Sequence, residues 1–68
     1  MSAEELEGIA DRLDDINEQL AELAMAALRD AIEAGEGKPE LERRITRARR
    51  AVEKASTLLR DQRGDDGF

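Results

Sequence analysis

The stretch LEGIADRLDDINEQLAEL, residues 6–23, carries a large apolar side chain at every third or fourth position. After one interruption, GEGKP at residues 35–39, the same spacing returns from residue 41 to residue 59. Apolar residues spaced in this way fall on one side of an α-helix. The first row is Leu6, Ile9, Leu13, Ile16, Leu20 and Leu23, and the second is Leu41, Ile45, Ala48, Val52, Ala55 and Leu59. The two rows therefore predict two long helices.

Both predicted helices have recognisable ends. Ser2 followed by Glu5 predicts a capping box that starts helix one near residue 3. Gly35 suits the left-handed residue that ends a helix, and Pro39 suits the first turn of the next one. Because the connection is short, the helices should fold back on each other as an antiparallel, all-α hairpin. We predict these helices at about 3–34 and 39–62.

The rest of the chain indicates no second domain. Its 68 residues are close to the lower limit at which one core holds a domain together. We expect residues 1–63 to form the hairpin and residues 64–68, which have no apolar pattern, to be a disordered tail. Two helices bury only one side each, so we also expect the hairpin to dimerise into a four-helix bundle with coiled-coil packing.

The composition argues against an enzyme. Cysteine and histidine are both absent, which removes disulfides, the usual zinc ligands and the common pairs of nucleophile and base. We therefore expect no catalytic residue, no metal and no cofactor. The acidic start and the lack of an apolar run of about 18 residues predict a cytoplasmic protein that does not enter the membrane. Nine of the 11 basic residues are arginine, a bias that indicates a high-GC bacterial genome.

The second half of helix one is the first candidate for a binding surface. It is apolar on nearly every side from residue 20 to residue 32, and helix two can cover only one of those sides. We expect the uncovered side, together with the start of helix one, to bind a second copy of the chain or another helical protein. The residues predicted for this surface are Leu6, Ile9, Ala24, Met25, Leu28 and Ile32.

Helix two provides a second candidate surface, which we call the basic stripe. Its residues, spaced to share one outward side of the helix, are Arg43, Arg47, Arg50 and Lys54. Such a stripe could bind a polyanion. The chain has a net charge of −6 and no aromatic residue beside the stripe for stacking on bases. A solvated helix face paired with nearby glutamates is therefore the competing interpretation, and we do not expect nucleic-acid binding.

Two functional hypotheses follow from these features. The favoured one is a non-catalytic helical interaction or oligomerisation module that works as a homodimer. The alternative is a small nucleic-acid-associated or regulatory protein that binds a polyanion through the basic face of helix two. Residues 1–35 carry a net charge of −8 and residues 36–63 a net charge of +4. This opposition favours antiparallel pairing of the helices, although each exposed ion pair contributes only about 0–1 kcal/mol.

Overall fold

The computed structural model describes residues 1–36 and 39–61 of the chain. These residues form a pair of α-helices that pack against each other, and no strand occurs among them. Helix α1 is Ala3–Glu33 and helix α2 is Glu40–Arg60. The all-α hairpin predicted from the sequence is therefore confirmed. The tail expected at residues 64–68 lies outside the described residues.

Helix α1 begins with the predicted capping box. The Ser2 hydroxyl accepts a hydrogen bond from the Glu5 amide at 3.1 Å, and the Glu5 carboxylate accepts one from the Ser2 amide at 2.9 Å. These bonds satisfy amide groups that the first turn of a helix leaves unpaired. Glu4 and Glu5 also place negative charge at the positive end of the helix dipole.

The end of α1 depends on Gly35. Its φ of 75° is in the left-handed region, which glycine adopts without a steric penalty. The Glu36 amide donates to the Ala31 carbonyl at 2.9 Å, and the Gly35 amide donates to the Ile32 carbonyl at 3.0 Å. This pair of bonds is a Schellman motif. It ends the helix at Glu33, one residue earlier than predicted.

Helix α2 is shorter at both ends than the sequence predicts. Pro39 has φ −74° and ψ 77°, so it precedes the helix and Glu40 is the first helical residue. Asp61 is extended, with φ −77° and ψ 108°, so the helix ends at Arg60. The predicted end at Gln62 lies outside the described residues. Apolar spacing does not determine the last residue of a helix, which explains errors of one or two residues.

Small and polar residues form the contact between the two helices. The buried residues of the described ranges are three alanines, Ala10, Ala24 and Ala31, together with Ser56. Together with half-buried polar residues, they recur at intervals of seven residues along each helix. We call the whole set the contact row: Ala10, Asn17, Ala24 and Ala31 on α1, and Glu42, Arg49 and Ser56 on α2.

The large apolar side chains lie beside this contact. Among the described residues, no large apolar side chain is fully buried. The hairpin extends 48 × 24 × 12 Å, a layer about as thick as one helix with its side chains. A layer of this kind has two broad sides, and those sides are chemically different.

Candidate functional site: the two sides of the hairpin

One side of the hairpin is lined by large apolar residues from both helices, and we call it the apolar face. It consists of the two rows predicted from the sequence, Leu6, Ile9, Leu13, Ile16, Leu20 and Leu23 on α1 and Leu41, Ile45, Ala48, Val52, Ala55 and Leu59 on α2. Every second member turns away from the contact row. Ile9, Ile16, Leu23 and Leu41 are 42%, 45%, 57% and 54% exposed.

The antiparallel arrangement places both rows on the same side. On each helix the exposed members of the apolar face come one position before the contact row, as Ile9 precedes Ala10 and Leu41 precedes Glu42. In an antiparallel pair, the same displacement on both helices points to the same side of the pair. Ala27 and Leu41 line one shallow depression near the loop, which agrees with this placement.

The opposite side, which we call the polar face, is joined by a network within the chain. Arg60 Nη2 lies 2.6 Å from Asp11 Oδ1 and 2.9 Å from Asp14 Oδ2. Ser56 Oγ donates to Asp14 Oδ1 at 2.7 Å and accepts from Arg60 Nη1 at 2.6 Å. These bonds connect the two helices at the end of the hairpin that is far from the loop.

The network stabilises the charged forms of its members. The pKa of the Asp14 carboxyl is lowered below its ordinary value of 3.8, first by the hydrogen bond from Ser56 and then by the hydrogen bond from Arg60. The pKa of the Arg60 guanidinium is raised by its hydrogen bonds to Asp14 and then to Asp11. Both groups are therefore charged at neutral pH and engaged with each other, which suits a structural role.

Three of the predicted self-association residues form a separate patch on the polar-face side. Met25, Leu28 and Ile32 are 61%, 37% and 68% exposed. Met25 and Ile32 each follow the contact row by one position, as Asp11 does at the other end of α1. We call these three residues the loop-end patch. The structure therefore places them on the opposite side of the hairpin from the apolar face.

The other three predicted residues lie elsewhere. Leu6 is half-buried and Ile9 is exposed, and both belong to the apolar face. Ala24 is only 6% exposed because it packs in the contact between the helices, so it has little surface left for a partner. Three large, exposed members of the apolar face, Ile16, Leu23 and Leu41, are not in the predicted set. The seven-residue recurrence of Ile9, Ile16 and Leu23 is the signal that could have found them.

The basic stripe is exposed along its whole length. None of its four members makes an ion pair with another described residue, so the expected pairing with nearby glutamates is not observed. Glu42 instead accepts a hydrogen bond from the Thr46 hydroxyl at 2.8 Å. Glu40 and Glu42 line the same shallow depression as Arg43 and Arg47. Their carboxylates reduce the positive potential that a polyanion would meet.

The contact between the helices includes buried polar atoms that lack hydrogen bonds to the described part of the chain. Asn17 Oδ1 and Arg49 Nε are buried there without a hydrogen-bond partner among the described residues. A buried polar atom without a partner costs about 1–3 kcal/mol. A contact of alanines that also includes such atoms gives the two helices little mutual stabilisation.

The described ranges 1–36 and 39–61 contain no group of three or more acidic residues that could hold a metal ion. No helix within those ranges is long and apolar enough to cross a membrane. Comparisons of the chain with protein-family models, with curated proteins and with solved structures found no match.

Proposed function

We propose that this chain is a non-catalytic helical interaction module that works as a cytoplasmic homodimer. In the dimer, the apolar faces of two hairpins pack together as a four-helix bundle. The observation that carries this proposal is that no large apolar side chain among the described residues is fully buried. A domain needs two packed layers around a core, and a small chain has little stability without one. A second hairpin supplies the missing layer.

The exposed area on the apolar face is large enough to drive association. Full burial of a leucine or isoleucine side chain contributes about 1.5–3 kcal/mol. Ile9, Ile16, Leu23 and Leu41 are each about half exposed. Burying the exposed parts of these four side chains in both copies supplies roughly 6–12 kcal/mol before the costs of association. A micromolar dissociation constant corresponds to about 8 kcal/mol.

Leu23 and Met25 provide a matched pair of variants to test this proposal. The two side chains are 57% and 61% exposed on the same helix, two positions apart, but they lie on opposite sides of the hairpin. Leu23→Asp and Met25→Asp therefore change the helix propensity, the net charge and the local exposure in similar ways. Their solution masses, measured by sedimentation equilibrium together with helix content by circular dichroism, report on the two sides separately.

We expect Leu23→Asp to dissociate the dimer and to lower its helix content, because an isolated hairpin buries only alanines and Ser56 among its described residues. Met25→Asp should keep the dimer mass. If Met25→Asp dissociated the dimer and Leu23→Asp did not, the interface would be at the loop-end patch, whose three residues are predicted for self-association from the sequence. If both variants remained dimeric, neither side of the hairpin would be the interface.

A second candidate function is polyanion binding by the basic stripe. The observation that favours it is the exposure of all four stripe residues without ion pairs to other described residues. The acidic net charge and the two glutamates beside the stripe oppose it. We therefore place it second, and a charge-removal variant tests it below.

A further inference from the structure

We propose that in the dimer helix α1 of each copy lies across helix α2 of the other, with both loops at the same end of the bundle. This inference depends on the self-association proposed above and names the geometry of the partner that the apolar face accepts. Two face-to-face arrangements with two-fold symmetry are available. An axis along the hairpin places α1 against the partner's α2, whereas an axis across the helices places α1 against the partner's α1.

The charges of the two helices favour the first arrangement. Helix α1 carries ten acidic and two basic side chains, a net charge of −8. Helix α2 carries seven basic and three acidic side chains, a net charge of +4. Pairing α1 with the partner's α2 therefore brings opposite charges together along the bundle, whereas pairing like helices brings −8 against −8. Complementary charge of this kind selects between alternative arrangements more than it adds affinity.

The sizes of the side chains on the apolar face favour the same arrangement. Within the hairpin, Arg60 lies beside Asp11 and Asp14, and Glu33 and Glu40 are the helical residues that flank the loop. Ser56 Oγ also lies 3.5 Å from the Ala10 carbonyl and 2.7 Å from Asp14 Oδ1. Together these contacts place Ala48 within about one helical turn of the height of Leu23, and Ala55 within about one turn of the height of Ile16. A two-fold axis along the hairpin preserves height.

In that arrangement, large side chains meet small ones across the interface. Leu23 then faces the partner's Ala48, and Ile16 faces the partner's Ala55. An axis across the helices instead sets the isoleucines and leucines of the two α1 helices against each other, and Ala48 and Ala55 against the α2 helix of the partner. That packing places more large side chains between the two α1 helices than between the two α2 helices, and such uneven packing is destabilising.

The arrangement also determines what the dimer presents to other molecules. Both copies of the loop lie together at one end of the bundle. Both copies of Ser2 and of Asp61 lie together at the other end, because each hairpin brings these two residues to the end far from its loop. Each end of the dimer therefore presents two adjacent copies of the same residues.

A distance measurement between spin labels tests the arrangement directly. The chain has no cysteine, so Glu36→Cys, at an exposed position in the loop, can be labelled alone. With both loops at one end, neighbouring helix axes are about 10 Å apart, and the two labels should lie within about 30 Å of each other. With loops at opposite ends, the separation should approach the 48 Å length of the hairpin.

A mixed sample provides the control. One population carries the label at Glu36→Cys and the other at Glu4→Cys, which lies at the opposite end of α1. Our arrangement predicts a short distance in the Glu36→Cys sample, to which the heterodimers of the mixed sample add a long one. Loops at opposite ends predict a long distance in the Glu36→Cys sample, to which the heterodimers add a short one. A dimer with the opposite pattern would overturn the arrangement but not the self-association. A folded monomer, with no distance between chains, would overturn both.

Discussion

The polar face and the apolar face of the hairpin differ in how far other residues of the chain satisfy or cover their side chains. On the polar face, Arg60 and Ser56 satisfy Asp11 and Asp14 within one chain. On the apolar face, four isoleucine and leucine side chains stay about half exposed, and no other described residue covers them. Polar groups can be satisfied by a few bonds or by water, whereas large apolar side chains need another surface. This difference is the basis of the proposal that the apolar face is the side that binds a partner.

Among changes that act within one chain, we expect the largest loss of stability from a substitution in the contact between the two helices. Ala10 is 0% exposed, and its carbonyl lies 3.5 Å from Ser56 Oγ. Ala10→Leu should lower the free energy of unfolding by about 1–3 kcal/mol, because the added atoms must push the helices apart. Urea unfolding at a fixed protein concentration measures this change.

Ala51→Leu is the control for that variant, since it makes the same substitution at an exposed position of α2. It should not lower the unfolding midpoint. Equal midpoints for the two variants would mean that the helices do not pack closely at Ala10, and that the apolar and polar sides are not separated by a tight contact.

The polar face should make a contribution that depends on pH. Because the pKa of Asp14 is lowered in the folded chain, its contribution to stability is complete only at a pH well above the ordinary value of 3.8. It should be lost as the pH falls below 3.8 and through the lowered pKa. Asp14→Asn should therefore be less stable than the wild type at pH 7, and the difference should shrink as the pH is lowered from about 4 to about 2.

Asp15→Asn controls for the removal of one acidic charge, since Asp15 is exposed and makes no ion pair with another described residue. Its unfolding midpoint should follow that of the wild type over the same pH range. A difference between wild type and Asp14→Asn that stayed constant down to about pH 2 would argue against the network as the cause.

The smallest effect is expected at the basic stripe, because its side chains are exposed and make no ion pair with another described residue. Changing Arg43, Arg47 and Arg50 together to Gln should leave the helix content and the solution mass unchanged. Fluorescence anisotropy should detect no binding of the wild type to duplex DNA or RNA at moderate salt. Binding that weakened steeply with salt and disappeared in the variant would instead support the polyanion function.

Much of the fold could be predicted from the sequence because its signals are local. The pairing of Ser2 with Glu5 and the left-handed Gly35 each act within a few residues, and both are observed as predicted. The apolar spacing correctly predicted which residues form helices. It did not indicate which residues face the other helix, because hydrophobicity gives alanine, asparagine and serine little weight.

The site was harder to predict for the same reason. Apolar spacing alone predicts that the rows of large apolar residues face the other helix, whereas the contact row runs through Ala10 and Ala24 on α1. Displacing the contact by one residue moves Ile16 and Leu23 from the interior to an exposed side. The contact between Arg60 and Asp14 joins residues far apart in sequence, and it depends on a register that helix periodicity does not determine.

The most direct test of the central claim is the mass of the wild-type chain in solution. Sedimentation equilibrium at micromolar concentration should give twice the chain mass of 7.6 kDa, together with a helical circular dichroism spectrum. The dimer should dissociate and lose helix together on dilution, because the apolar face is the missing half of the core. A well-folded, fully helical species of 7.6 kDa at the same concentration would contradict the account.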